Sequence, residues 1–140
     1  MKYLWILMTA VASLAMAHEL TVQDAWIRLL PGSTTSAYMT LINPAAKTPA
    51  QIVGASSPAA AKVTLHTTME MSGGNAEMTT MKPLASVTVP PKGKVVFKPG
   101  GMHLMLEGLK APLKVGQKIK IVLKYSDGDT QTVIFTVRNQ

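Results

Sequence analysis

Ala61-Lys62-Val63-Thr64-Leu65-His66-Thr67 is the stretch on which the fold turns. Apolar Val63 and Leu65 alternate with polar Lys62, Thr64 and His66, the period-2 pattern of a strand with one buried and one outward face. The pattern puts an imidazole on the outward side. The stretch runs on through Thr68-Met69-Glu70-Met71-Ser72-Gly73-Gly74-Asn75-Ala76-Glu77-Met78-Thr79-Thr80-Met81. Gly73, Gly74 and Asn75 tolerate the positive φ of a tight turn, so the flanking segments are expected to form a hairpin.

Outward from this hairpin the chain repeats the same grammar. Thr21–Arg28 is a strand stopped by Pro31-Gly32, and Ser36–Ile42 is a second, closed by Asn43-Pro44. Gln51–Ser56, Ser86–Val89, Lys94–Phe97, the segment around His103, Lys118–Tyr125 and Thr132–Val137 follow, each bounded by Pro, Gly, Asp or Ser. No helical periodicity is sustained. Many short strands at spacings of roughly ten residues predict an all-β antiparallel sandwich or barrel.

The amino end reads differently. One lysine precedes an apolar run that closes on Ala15-Met16-Ala17, the pattern of a secretory signal peptide cleaved after Ala17. The run is shorter than the ~20 residues a membrane span requires. Residues 1–17 are thus a leader, and residues 18–140 a single domain of ordinary size. The destination is extracytoplasmic, with no span remaining after cleavage.

Composition narrows the function. The sequence has no cysteine. Thiol–disulfide exchange, a cysteine-ligated blue copper centre, iron–sulfur clusters and cysteine-based zinc sites are therefore excluded. The formal net charge is +7, and Lys92, Lys94, Lys98, Lys110, Lys114, Lys118, Lys120 and Lys124 crowd the second half. With export, few aromatics and only Arg28 and Arg138 as arginines, nucleic acid is not the expected partner. Lysines on the polar sides of strands discourage edge-to-edge association, and they steer weakly toward an acidic protein or membrane surface.

The distribution of soft donors carries the functional reading. Beyond the leader, six of the seven methionines fall in two segments, the hairpin with Met69, Met71, Met78 and Met81, and Gly100-Gly101-Met102-His103-Leu104-Met105-Leu106. Only Met39 stands apart. His66 and His103 lie in the same two segments. A lone strand histidine is ordinarily a surface residue and a lone methionine ordinarily core filler, but core methionines sit among Leu, Ile and Val rather than in a polar hairpin. A Met-rich patch for promiscuous binding is the plainer alternative. Thioether with imidazole, lacking cysteine or a carboxylate cluster, suits Cu(I) better than zinc, calcium or magnesium. His103 and Met105 share one strand face, and Leu104 and Leu106 the other.

These residues resemble the periplasmic copper chaperones of the PCuAC type, which supply the CuA site of cytochrome c oxidase. The family pattern is His, ten residues, Met, twenty-one residues, His-x-Met. Here Met81 and His103 have that separation and Met105 follows in place. The flanks Asp24-Ala25-Trp26-Ile27-Arg28, Lys98–Leu106 and Gly108-Leu109-Lys110 are similar too. His66 and Met81 stand four residues further apart than the pattern, which a longer hairpin accommodates while preserving side-chain facing. The resemblance implies a cupredoxin-like Greek-key fold with an exposed Cu(I) site built from His66, Met81, His103 and Met105, with Met69, Met71 and Met78 as substitutes or supplements. It implies a monomer that is not an enzyme. The implied partners are the copper-bearing subunit of the oxidase or a Sco-type assembly protein. Copper buffering or resistance, with more than one ion held, is the alternative.

His18 adds a second candidate. After cleavage it presents an α-amino group and an imidazole on one residue, a chelate favouring Cu(II). A redox-active copper, as in oxidative polysaccharide-cleaving enzymes, would need another histidine on the same surface, and His66 and His103 are already committed.

Overall fold

The computed structural model describes residues 19–70 and 79–139. The expected leader, His18, Met71, Met78 and the Gly73-Gly74-Asn75 stretch expected to turn lie outside the described residues. Ten strands form: β1 Thr21–Arg28, β2 Thr34–Ile42, β3 Ala50–Ser56, β4 Ala60–Glu70, β5 Thr79–Pro83, β6 Val87–Val89, β7 Lys94–Phe97, β8 Met102–Leu109, β9 Lys118–Tyr125 and β10 Thr130–Arg138. Among the described residues there is no helix.

Seven strands close on themselves in the order β4-β8-β2-β1-β10-β9-β3, and Ala55 of β3 meets Val63 of β4 to complete the ring. The expected all-β barrel is therefore present. One ladder departs from the antiparallel expectation, because β1 and β10 run parallel. They come from the two ends of the chain, so no tight turn joins them and nothing local dictates their direction.

β4 does two jobs along its length. Its first half seals the barrel against β3, and its second half pairs with β5 from His66↔Pro83 to Glu70↔Thr79. The strands of the expected hairpin thus pair as its sequence predicts. β2 is shared in a similar way. Its first half pairs with β8 and its second half with β7, both antiparallel. β7 and β8 therefore lie along one partner strand, interrupted by Lys98-Pro99-Gly100-Gly101. Pro99 cannot donate to a ladder, and Gly100 takes a positive φ of 82°.

The core follows from alternation. On β9 the side chains of Ile119, Ile121, Leu123 and Tyr125 are buried, while Lys118, Lys120 and Lys124 face outward. Ile27, Leu41, Ile52, Leu104, Leu106, Phe135 and Val137 are also fully buried in the same cluster. Each such side chain stabilises the fold by about 1.5–3 kcal/mol relative to exposure. With no disulfide in the chain, this packing holds the barrel.

Candidate metal centre

β4 and β8 are neighbours in the barrel wall, and their register sets His66 directly opposite His103. Val63, Leu65, Leu104 and Leu106 point into the core. By alternation, Thr64, His66, His103 and Met105 share the opposite face. The two imidazole rings are stacked, with centroids 5.9 Å apart and planes 14° from parallel.

Each ring has one nitrogen engaged. His103 Nδ1 lies 3.1 Å from the Gly101 carbonyl oxygen, which can only accept, so Nδ1 carries the proton. Nε2 is then a bare lone pair, and it is buried without a hydrogen-bond partner. A backbone carbonyl that fixes the tautomer of a ligating histidine through its other nitrogen is the usual support in metal sites. Burial pushes the His103 imidazole below its ordinary pKa of 6.5. The Gly101 hydrogen bond opposes that shift, and neighbouring His66 adds to it. His103 is therefore neutral and ready to donate at pH 7. His66 Nδ1 sits 3.1 Å from the Thr64 hydroxyl.

The methionines divide. Met105, half-buried, is two residues along β8 from His103, opposite Thr64 of β4 and Ser36 of β2. Met81 pairs with Thr68, two residues beyond His66 in the other direction, and is 54% exposed. The two methionines thus flank the histidine row from opposite sides, about 13 Å apart along the strand axis at roughly 3.3 Å per residue. By register Met105 follows His103 on its own strand, whereas Met81 lies two strands from His103, across β4. Met69 pairs with Thr80 in the β4–β5 ladder. Met39 is core, and Met102 packs against the core. The remaining candidates, Met71, Met78 and His18, lie outside the described residues.

The expectation of an exposed site needs correction for His103, which is only 3% exposed. Its ring lies 6.4 Å from that of Tyr38, which is backed by Trp26 at 4.7 Å. In the sequence Trp26 stands only as part of the flank Asp24-Ala25-Trp26-Ile27-Arg28 and Tyr38 only as part of the strand Ser36–Ile42, and nothing local to either segment ties them to His103. Among the described residues, no three His, Cys, Asp or Glu side chains converge on a possible metal position. A centre here must draw on sulfur beside nitrogen, a soft donor set. The cleft of about 670 Å³ lined by Leu29, Leu30, Lys110 and Leu113 lies beyond the far end of β8, about 20 Å along the strand from His103.

Comparison with known proteins bears on the family and the fold. The family model described as putative lipoprotein LpqE-like matches residues 20–137. The putative lipoprotein Lxx21020 of Leifsonia xyli is 36% identical over 123 residues, covering 88% of this chain and 72% of the relative. The solution structure of CuI-DR1885 from Deinococcus radiodurans is 41% identical, with a TM-score of 0.68, and covers 90% of this chain and 83% of that one. A copper-bound PCuAC domain from PmoF2 shares the fold at 20% identity, with a TM-score of 0.68 over 89% of this chain and 96% of that domain.

Proposed function

The chain belongs to the LpqE-like family, which is the PCuAC family, and from that premise we propose that it is an extracytoplasmic chaperone for Cu(I). The observation that carries the reading is the His66–His103 pair, in which His103 offers a buried, unpartnered Nε2, with Met105 two residues further along the same face of β8. Cu(I) is the cargo. His66, His103 and Met105 form the platform, and Met81 supplies the outer donor. An exposed thioether at the edge suits hand-off, because an incoming ligand can replace it before the histidines let go. The likeness to CuI-DR1885 supports the metal and its oxidation state.

The resemblance to the family extends the proposal. The recipient is the copper-bearing subunit of cytochrome c oxidase or a Sco-type assembly protein. The protein acts as a non-catalytic monomer in the periplasm, released by cleavage after Ala17. His18 then provides a separate Cu(II) site.

A Cu(I) competition titration against a chromophoric chelator, on protein starting at His18, tests this. We expect one tightly bound ion, a larger loss of affinity for Met105→Leu than for Met81→Leu, and loss of binding for His66→Ala. Equal losses for the two methionines would refute the platform-and-edge assignment. More than one ion would favour copper buffering, for which the exposed Met81 is the supporting observation. No binding would sink the reading altogether.

A further inference from the structure

The outward face of a barrel wall is ordinarily wet, yet three aromatic side chains on the β1–β2–β8 wall are dry. Trp26 is 7% exposed and Tyr38 is 4% exposed, close to His103. None of the three belongs to the apolar core cluster. They form one row across adjacent strands. Trp26 is opposite Tyr38, Ala37 opposite Leu104 brings Tyr38 alongside His103, and His66 completes the line. Two guanidinium groups flank the row, Arg28 at 5.6 Å from the Tyr38 ring centre and Arg138 at 6.0 Å from that of Trp26.

One extra residue creates this row. Counting on from Gln23↔Thr40, an unbroken antiparallel ladder would set Trp26 opposite Ala37, with its side chain in the core. The observed register shifts between Gln23 and Trp26, so that Trp26 meets Tyr38 and Ile27 meets Ala37. A bulge of this kind turns every later side chain to the other face. Asp24 within it takes a φ of 51°, and its carboxylate accepts from Arg138 Nη1 at 2.8 Å, which ties the bulge to β10.

We propose that Trp26 and Tyr38 are positioning residues for the metal centre. As a rigid wall they hold the His103 ring in one orientation and keep water from Nε2, which stays free for Cu(I). The ion then enters from the half-exposed His66 side, since the aromatic side does not yield. The inference rests on the copper reading above, but its first readout needs no copper.

In chelator-stripped protein starting at His18, the imidazole ¹⁵N shifts of His103 report which nitrogen carries the proton. We expect a single Nδ1-protonated tautomer in the native protein and in Tyr38→Phe, which keeps the flat ring. Tyr38→Leu should mix the tautomers and weaken Cu(I) binding by about 10–100-fold, the usual effect of removing support around a metal ligand. A folded Tyr38→Leu protein with an unchanged tautomer and unchanged affinity overturns the proposal. If that variant does not fold, Trp26→Phe thins the wall without touching the core, and unchanged shifts and affinity there overturn it equally. Native protein that binds no Cu(I) would refute the copper reading, with the tautomer shifts still deciding the role of the wall.

Discussion

Replacing His103 by leucine should abolish Cu(I) binding and yet stabilise the protein. The native ring makes one hydrogen bond, from Nδ1 to the Gly101 carbonyl, and leaves Nε2 buried without a partner. The bond contributes about 0.5–1.5 kcal/mol net, whereas an unpartnered buried polar atom costs about 1–3 kcal/mol. Leucine removes both and keeps apolar bulk against Tyr38. The Gly101 carbonyl is not stranded, because it also accepts from the Thr68 N–H at 3.2 Å. Taking the middle of each range, the variant gains about 1 kcal/mol, or about 3–5 °C in Tm for a domain of this size.

The pH dependence sharpens this prediction. Burial holds the folded-state pKa of His103 below its ordinary 6.5. Between those two values the unfolded chain binds a proton that the folded chain does not. Native stability therefore falls as pH drops through 6.5 and levels off below the folded-state pKa. His103→Leu lacks that contribution, so its advantage should widen on acidification. Thermal unfolding of both proteins with chelator present, followed by circular dichroism at about pH 7.5 and about pH 5, makes the comparison. A variant with a native β spectrum that is less stable by more than about 1 kcal/mol would refute the reasoning, since Nε2 would then have to be satisfied. An advantage that did not change with pH would refute the burial argument.

Two further outcomes test the scaffold rather than the site. Gly108 takes a positive φ of 67°, and a Cβ there would lie 2.8 Å from the Cβ of Ala61. Gly108→Ala should therefore lose about 1–3 kcal/mol in urea unfolding with Cu(I) affinity unchanged. The Gln131 carboxamide accepts from the Leu20 N–H at 3.2 Å, donates to its carbonyl at 2.8 Å, and takes the Tyr125 hydroxyl. The Leu20 N–H also donates to the Tyr125 hydroxyl oxygen at 3.3 Å, so Gln131→Ala should cost about 1–3 kcal/mol and speed amide exchange at Leu20 only part of the way to a frayed end, without moving the His66 and His103 resonances.

Much of the barrel could be read from local alternation, because facing in a strand depends only on the parity of neighbouring positions. The parity of Val63, Leu65, Leu104 and Leu106 sets which way His66 and His103 point, whichever strands lie beside them. The strand ends near Pro31, Pro44 and Pro58 were similarly legible, since proline and glycine punctuate locally. The surroundings of His103 were not legible in this way. Its dryness depends on Tyr38 and Trp26, which arrive from strands far away in sequence. Trp26 faces outward only because the bulge at Asp24 adds one residue, and a shift of that size leaves almost no mark in composition.

The sequence by itself determined that the chain is a β protein, that its soft donors cluster, and that two imidazoles leave the core side of their strands. Each depends on residue type and on periodicity along one segment. Only the tertiary structure decided that His66 faces His103, that β1 runs parallel to β10, and that Met105 and Met81 stand on opposite sides of the histidine row. Those are matters of register between segments, and register is set by closing the whole barrel around its core rather than by any one strand.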